Sequence, residues 1–335
     1  MRLRYFFILL FIIVLAFDGC SNKSFGMLDH DVEIHINRFD TALFQWIDTD
    51  DPSILDEIIK EYPLMIEMLG KVLFNDIDPD SSTFYDKLIN HYSEPTLKSL
   101  YKDVINFYSA CSSEIEQAEK ELSYGFTQLK KNFSTMRIPA VYLHVSGLQL
   151  NIIIADSLIS CSVDKYMGAD YPLYKRFFYD HQCKSMTPER MAKDCLNAWI
   201  KSEFSFKGKD NVLLERMIYE GKIIYTLIQS GYNYTYKDVT STTGKEYDWF
   251  RKFESALWTT IIERKHLYTP DIATTLKYFQ PSASTFISED APGNPGCFIG
   301  YRIVEQYMKK TRSTFEELMN NNDAQDILQK SKYKP

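Results

Sequence analysis

The most extensive apolar pattern in the chain lies at residues 211–229, with the sequence NVLLERMIYEGKIIYTLIQ. Its apolar positions cover more than one face of a helix, which predicts a helix enclosed by other elements on most sides. They are Val212, Leu213, Leu214, Met217, Ile218, Ile223, Ile224, Leu227 and Ile228. Asp210 is the predicted N-cap and Gly231 the predicted end. Glu220 and Lys222 lie at the middle, and because residues two apart do not face each other on a helix, they cannot simply neutralise one another.

Apolar residues at steps of three and four predict amphipathic helices in both halves of the chain. These helices are expected to begin near Pro52, Pro95, Ile115, Pro188, Trp249 and Gly296. In the last of them, Gly296 and Gly300 lie on one face, four residues apart. Two glycines at this spacing allow a neighbouring backbone to come close.

Strand patterns are confined to two regions. Alternating apolar residues at Val32, Ile34 and Ile36 predict an opening strand, and residues 141–145 and 151–163 are rich in β-formers. Ser146-Gly147 separates the last two segments, which predicts two strands of a small antiparallel sheet. The expected fold class is therefore α+β and mainly helical, with a small antiparallel sheet and a central buried helix.

The first twenty residues have the pattern of an export signal. Arg2 and Arg4 precede an uninterrupted apolar run at residues 5–17, and Gly19-Cys20 follows soon after. This order predicts a lipoprotein signal peptide at 1–19, lipidation of Cys20 and a tether at 20–28. An ordinary signal peptide, or a short anchor with an incidental cysteine, is the alternative.

A single domain is predicted for the rest of the chain. It spans 29–335, with a helical and sheet-containing lobe to about residue 205 and a helical lobe at 206–335.

Charge and cysteine content exclude some classes of partner. The chain carries 38 basic and 45 acidic residues, a net charge of −7, so it has no general affinity for nucleic acid and anionic headgroups repel it. Membrane attachment therefore has to come from the lipid. Five further cysteines are scattered without CxxC spacing: Cys111, Cys161, Cys183, Cys195 and Cys297. They form neither a zinc cluster nor a disulfide framework, and their pairing stays open.

The central helix is reminiscent of a metallopeptidase helix. In HExxH, two imidazoles one turn apart bind zinc, and the glutamate polarises the bound water. The corresponding residues here are Tyr219-Glu220-Gly221-Lys222-Ile223, so a phenol and a hydrocarbon occupy the ligand positions. No metal and no cofactor are expected. Glu220 is expected to pair with Tyr219, Lys222 or a backbone donor, or else to reach solvent, and Lys222 to extend to the surface.

Four blocks of sequence in the right order resemble GldB, the gliding-motility lipoprotein family of the Bacteroidetes. They are LLERMIYEGKIIYTL, SVDKYMGADYPLYKR, PGNPGCFIGYRIVEQYM and SKYKP. The resemblance runs from about Asp29 to Pro335 and includes the lipoprotein leader. Chains of this family are in turn similar to predicted zinc peptidases with an intact HExxH, in which a glutamate on the next helix is the third ligand. That position corresponds to Glu254 and implies a zincin-like fold.

The resemblance implies an envelope lipoprotein that is anchored by lipid, faces the periplasm and has no catalytic activity. Its implied role is structural, or in assembly of the gliding machinery and the associated secretion apparatus, with envelope proteins as partners. One alternative is a hydrolase that uses Glu220 and a second carboxylate about 5–10 Å away. The other is a glycan-binding lipoprotein that uses the tyrosine-rich loops at 166–179 and 232–236.

Overall fold

The computed structural model describes residues 31–49, 51–74 and 78–335. The predicted signal peptide, Cys20 and the tether lie outside the described residues. Helices account for 62% of the described residues and accompany one four-stranded sheet, so the prediction of a mainly helical α+β protein is confirmed.

The first half of the described chain contains helices and all four strands of the sheet. Its helices are α1 Phe39–Thr49, α2 Pro52–Glu61, α3 Pro63–Met68, α4 Ser82–Tyr92, α5 Pro95–Ala110 and α6 Ser112–Asn132. Its strands are β1 Ile36–Asn37, β2 Ala140–His144, β3 Ile152–Ala155 and β4 Leu158–Ser162.

The second half contains helices α7 to α16. They are α7 Tyr174–Phe177, α8 Asp180–Cys183, α9 Met191–Glu203, α10 Leu213–Ser230, α11 Tyr236–Thr240, α12 Gly244–Glu263, α13 Ile272–Lys277, α14 Pro295–Thr311, α15 Phe315–Asn320 and α16 Ala324–Ser331. None of the helices within the described ranges combines the length and the apolar character that a membrane crossing requires.

The sheet is mixed, so the prediction of an antiparallel sheet is wrong. The strand order is β1-β2-β4-β3; β1 pairs with β2 and β2 with β4 in parallel, while only β3 and β4 are antiparallel. The region 151–163 is a β3–β4 hairpin and not one strand. Every residue of β4 is buried, which is typical of a central strand with parallel pairing rather than of an alternating surface strand.

The opening strand is shorter than its alternating pattern predicts. Only Ile36–Asn37 pair with another strand, and the chain enters α1 at Phe39. A parallel partner for β1 requires a crossover connection, which α1 to α6 supply before the chain returns as β2.

Helix α10 is the predicted central helix, and it is enclosed as expected. Its buried residues include Leu213, Leu214, Lys222 and Ile223, which lie on different sides of the helix. The helix ends at Gly231 as predicted, but its N-cap is Val212 and not Asp210. Asp210 instead accepts a hydrogen bond of 3.2 Å from Arg216, because the chain makes a turn before the helix begins.

Helices α10 and α14 cross in close contact at two glycines, Gly221 and Gly300. A Cβ atom added at Gly300 would lie 1.8 Å from the carbonyl oxygen of Met217, and one added at Gly221 would lie 2.3 Å from the backbone of Gly300. The predicted close approach at Gly300 is therefore confirmed. A Cβ atom added at Gly296 would instead lie 2.8 Å from the ring of Phe279.

Candidate functional site on the central helix

The carboxylate of Glu220 forms an ion pair with a lysine from the neighbouring helix α9. Its Oε2 lies 2.9 Å from Nζ of Lys201, and 16% of the Glu220 side chain is exposed. Sequence reasoning named Tyr219, Lys222 or a backbone donor as the partner and did not identify Lys201. Nothing local marks Lys201, because the pairing depends on how α9 packs against α10.

The two positions that correspond to zinc-binding histidines differ in their surroundings. Tyr219 is half-buried against the ring of Phe206, with ring centroids 5.1 Å apart. Burial, and then the charge of Glu220, raises the pKa of Tyr219 to about 12, so this phenol is neutral near pH 7. Ile223 is completely buried in the core.

Glu254 lies on α12 and is held by three hydrogen-bond donors. Its Oε1 accepts hydrogen bonds of 2.9 Å from Nε of Arg302 and from the hydroxyl of Tyr333, and its Oε2 accepts one of 3.4 Å from Arg251. The side chain is buried. These partners differ from the partner of Glu220, so the ion pairs do not join the two carboxylates into one cluster.

Metal-binding groups can also be sought outside these positions. Within residues 31–49, 51–74 and 78–335, no three histidine, cysteine, aspartate or glutamate side chains are grouped so as to bind a metal ion.

Comparison with known protein families shows to which family the chain belongs. The family described as gliding motility protein GldB matches residues 23–335. The chain belongs to the GldB family. No curated protein and no solved structure matched it in the other two comparisons. Membership of the GldB family associates the chain with gliding motility and, as a lipoprotein, with the cell envelope.

In this GldB-family chain, Lys222 is buried, and the prediction that it extends to the surface is wrong. Its Nζ donates hydrogen bonds of 3.1 and 3.0 Å to the carbonyl oxygens of Met319 and Asn321. These carbonyls lie at the end of α15, where a cation is favoured by the helix dipole. Burial lowers the pKa of Lys222 to about 8.

The tyrosine-rich loops named as candidate glycan platforms in this GldB-family chain are mostly core. Tyr166, Tyr174, Tyr234 and Tyr236 are buried. Tyr179, at the end of the first loop, is 75% exposed and stacks on His181 with ring centroids 5.7 Å apart.

The five described cysteines are all unpaired. Burial is the main cause that raises the pKa of the Cys161 thiol well above its usual value, and the adjacent Cys195 adds to it.

Proposed function

We propose that this GldB-family lipoprotein is a non-catalytic structural or assembly component of the gliding machinery and its associated secretion apparatus. We further propose that it is built on a degenerate metallopeptidase scaffold of zincin-like type. The observation that carries the proposal is the ion pair between Lys201 and Glu220. A catalytic glutamate at this place must take a proton from zinc-bound water, whereas here its carboxylate is already bonded to an ammonium group.

The donor atoms around Glu220 support the same conclusion. A catalytic zinc takes three protein ligands and keeps a fourth position open. At the corresponding positions, Tyr219 offers a neutral phenol, Ile223 a buried hydrocarbon and Glu254 a carboxylate with both oxygens hydrogen-bonded to this chain's own side chains. These residues do not fit a catalytic zinc centre.

Complementation in a gliding host tests the absence of catalysis. In cells that lack the protein, Glu220→Gln should restore spreading on agar to the level of the wild-type gene, because an assembly role does not need a general base. A matched control is Glu263→Gln, which changes an exposed glutamate elsewhere in the chain. Loss of spreading with normal protein abundance in Glu220→Gln alone would overturn the proposal.

Elemental analysis provides a second test that does not depend on the host. Protein purified from residue 21 onward is expected to contain no stoichiometric zinc, even after incubation with zinc followed by dialysis. One zinc per chain, abolished by Glu254→Gln at the position of the third ligand, would contradict the proposed loss of the metal site.

The predicted lipid anchor gives the proposal its location. We propose that Cys20 carries the lipid and that residues 29–335 face the periplasm. Cys20→Ala should release the protein from the membrane fraction, while Cys111→Ala, at a cysteine within the domain, should leave it attached. Crosslinking in intact envelopes should then capture envelope proteins as partners, and capture should fall when the anchor is removed.

A further inference from the structure

A cleft of about 430 Å³ opens beside α8, α11 and the loop before α14, and neither Glu220 nor Glu254 lines it. Side chains that can donate or accept hydrogen bonds make up much of its wall. They include Asn151, Lys165, His181, Arg190, Ser241 and Asn294. Its volume lies in the range of small-molecule binding sites, and its lining is more polar than that of a typical hydrophobic pocket.

Two buried polar atoms at this wall lack hydrogen-bond partners among the residues that the structure describes. They are the hydroxyl oxygen of Ser241 and Nε of Arg190. Folded proteins pair nearly all of their buried polar atoms, because an unpaired one loses its bonds to water without replacement. At the wall of a cleft, a ligand with hydroxyl groups can supply both missing partners.

The backbone at the cleft also departs from the usual conformations. Ser241, just after α11, has a φ of 57°, and Asn294, just before α14, has a φ of 57° as well. Left-handed conformations are unfavourable for residues with a Cβ atom, least so for asparagine, and they recur where a loop is shaped around a ligand. Two separate loops thus adopt this conformation at one cleft.

The charges at the cleft favour an uncharged ligand. Lys184 lies 3.3 Å from Glu246, and Arg190 forms an ion pair with Asp194. Lys184 and Arg190 thus have carboxylate partners, which a phosphate or a carboxylate ligand would have to displace. The third cation of the cleft, Lys165, donates a hydrogen bond of 3.4 Å to the carbonyl oxygen of Leu148 and lies over the ring of Phe178. Paired charged groups still offer donors and acceptors side by side, which suits a hydroxyl group because it both donates and accepts.

Aromatic rings provide the apolar part of the wall. The ring of Phe178 lies under the ammonium of Lys165, 3.9 Å from ring centroid to Nζ. His181 also lines the cleft and is stacked on the exposed Tyr179 at an interplanar angle of 9°. Aromatic carbon next to hydrogen-bonding groups matches the two sides of a sugar, whose CH-rich face is apolar and whose edge carries hydroxyls.

A second cleft of about 880 Å³ continues the first one. It shares Lys184, Arg190, Ser241 and Thr242 with it and extends along α6, α9 and α11. Its acidic and basic side chains are balanced, with four of each: Glu114, Glu121, Glu189 and Asp238, and Lys184, Arg190, Lys193 and Lys237. Because the two clefts share four residues, we treat them as one continuous groove.

We propose that this groove binds an uncharged oligosaccharide, with Ser241 and Arg190 hydrogen-bonded to sugar hydroxyls and Tyr179 at the rim. The groove is separate from the residues on which the proposed function rests. Neither cleft is lined by the positions that correspond to a metal centre. An oligosaccharide would contact the groove with several sugar units at once. It should therefore bind more tightly than its monosaccharide.

Binding is measured with the soluble chain from residue 21 onward. The probes are uncharged glucose, mannose and N-acetylglucosamine oligomers of two to six units, their monosaccharides, and inorganic phosphate. At least one oligomer should bind, and its monosaccharide should bind at least tenfold more weakly. If no oligomer binds, if a monosaccharide binds equally well, or if phosphate displaces the bound sugar, the proposal is wrong.

Ser241→Ala separates a binding role from a structural one. The substitution removes a buried hydroxyl that has no partner in the folded chain, so the thermal midpoint should stay equal or rise. Affinity for the oligomer should fall about tenfold, as expected for one lost hydrogen bond. A rise in thermal midpoint with unchanged affinity would show an incidental packing defect and would overturn the assignment.

Tyr179→Ala and Tyr268→Ala form a matched pair, because both remove an exposed tyrosine and only the first is next to the cleft. We expect a several-fold loss of affinity for Tyr179→Ala and no change for Tyr268→Ala. Equal effects of the two variants would place the sugar elsewhere on the surface.

Discussion

Replacing Gly300 with alanine tests the crossing of α10 and α14 on which the position of Glu220 depends. The added Cβ atom would lie 1.8 Å from the carbonyl oxygen of Met217 and 2.6 Å from its carbonyl carbon. Both are backbone atoms, so no side-chain rotation can relieve the overlap, and the two helices have to separate. Separation disturbs the core around Met217, which is fully buried.

The sign of the change in the free energy of unfolding is informative, because two contributions to it oppose each other. In an open helical position, alanine in place of glycine stabilises the folded state by about 0.5–1 kcal/mol. Overpacking of a dense core costs about 1–3 kcal/mol, and a backbone overlap lies at the upper end. We expect Gly300→Ala to lower the free energy of unfolding by about 2–3 kcal/mol, which corresponds to a fall of roughly 3–5 °C in Tm for a chain of this size.

Urea and thermal unfolding, followed by circular dichroism, measure this change in the soluble chain. The matched control is Gly244→Ala at the first residue of α12, where an added Cβ meets no atom within 4 Å. The control should be as stable as the wild type or slightly more so. If Gly300→Ala is also as stable as the wild type, the helices do not cross as closely as described and the reasoning fails.

Three further predictions concern buried charges. Lys222→Met leaves the carbonyls of Met319 and Asn321 without their donor and should cost about 1–2 kcal/mol at pH 7. Because the pKa of Lys222 is lowered to about 8 in the folded chain from 10.5, the unfolded chain binds more protons between these values. The wild type should therefore gain stability relative to Lys222→Met as the pH rises from 8 to 10.5, and urea titrations showing the reverse would refute the burial of its ammonium. A double-mutant cycle of Lys201→Met and Glu220→Gln should give a coupling of about 0.2–1 kcal/mol, since Lys201 is partly exposed; zero coupling would contradict a stabilising pair. Glu254→Gln should lower the free energy of unfolding by about 1–2 kcal/mol, because it weakens the hydrogen bonds from Arg302 and Tyr333 while Arg302 keeps its ion pair with Glu305; a loss no larger than that of Glu263→Gln would contradict the network.

The helices were predictable from the sequence because their signals are local. The apolar run of α10 reaches around the helix, and the observed range Leu213–Ser230 nearly coincides with the predicted 211–229. Asp51 and Pro52 mark the start of α2, where the carboxylate of Asp51 accepts a hydrogen bond from the backbone of Ser53. The spacing of Gly296 and Gly300 likewise indicated a close contact with another helix, although only Gly300 makes it with α10.

Sheet topology was not predictable, because strand partners are chosen by tertiary packing. β2 pairs in parallel with β4, although β3 lies between them in the sequence. The pattern of residues 151–163 does not show that the chain turns back at Asp156. The buried state of Lys222 was missed for a related reason. Its carbonyl partners lie 97 and 99 residues further along the chain, so no window around Lys222 contains them.

The ion-pair partners in the candidate site were not predictable either, because they lie on other helices. Both ion pairs can be explained in the same way. Lys201 comes to Glu220 from α9, and Arg302 comes to Glu254 from α14; each cation is supplied by a helix packed against the one that carries the carboxylate. A carboxylate buried without a cation, a metal ion or several hydrogen-bond donors would have to be protonated or would destabilise the fold. On the proposed descent from metallopeptidases, loss of the ion would have left both carboxylates in need of a counter-charge, and neighbouring helices provide one to each. The proposal therefore expects the two pairs to behave as structural contacts whose removal lowers stability, while Glu220→Gln leaves gliding intact.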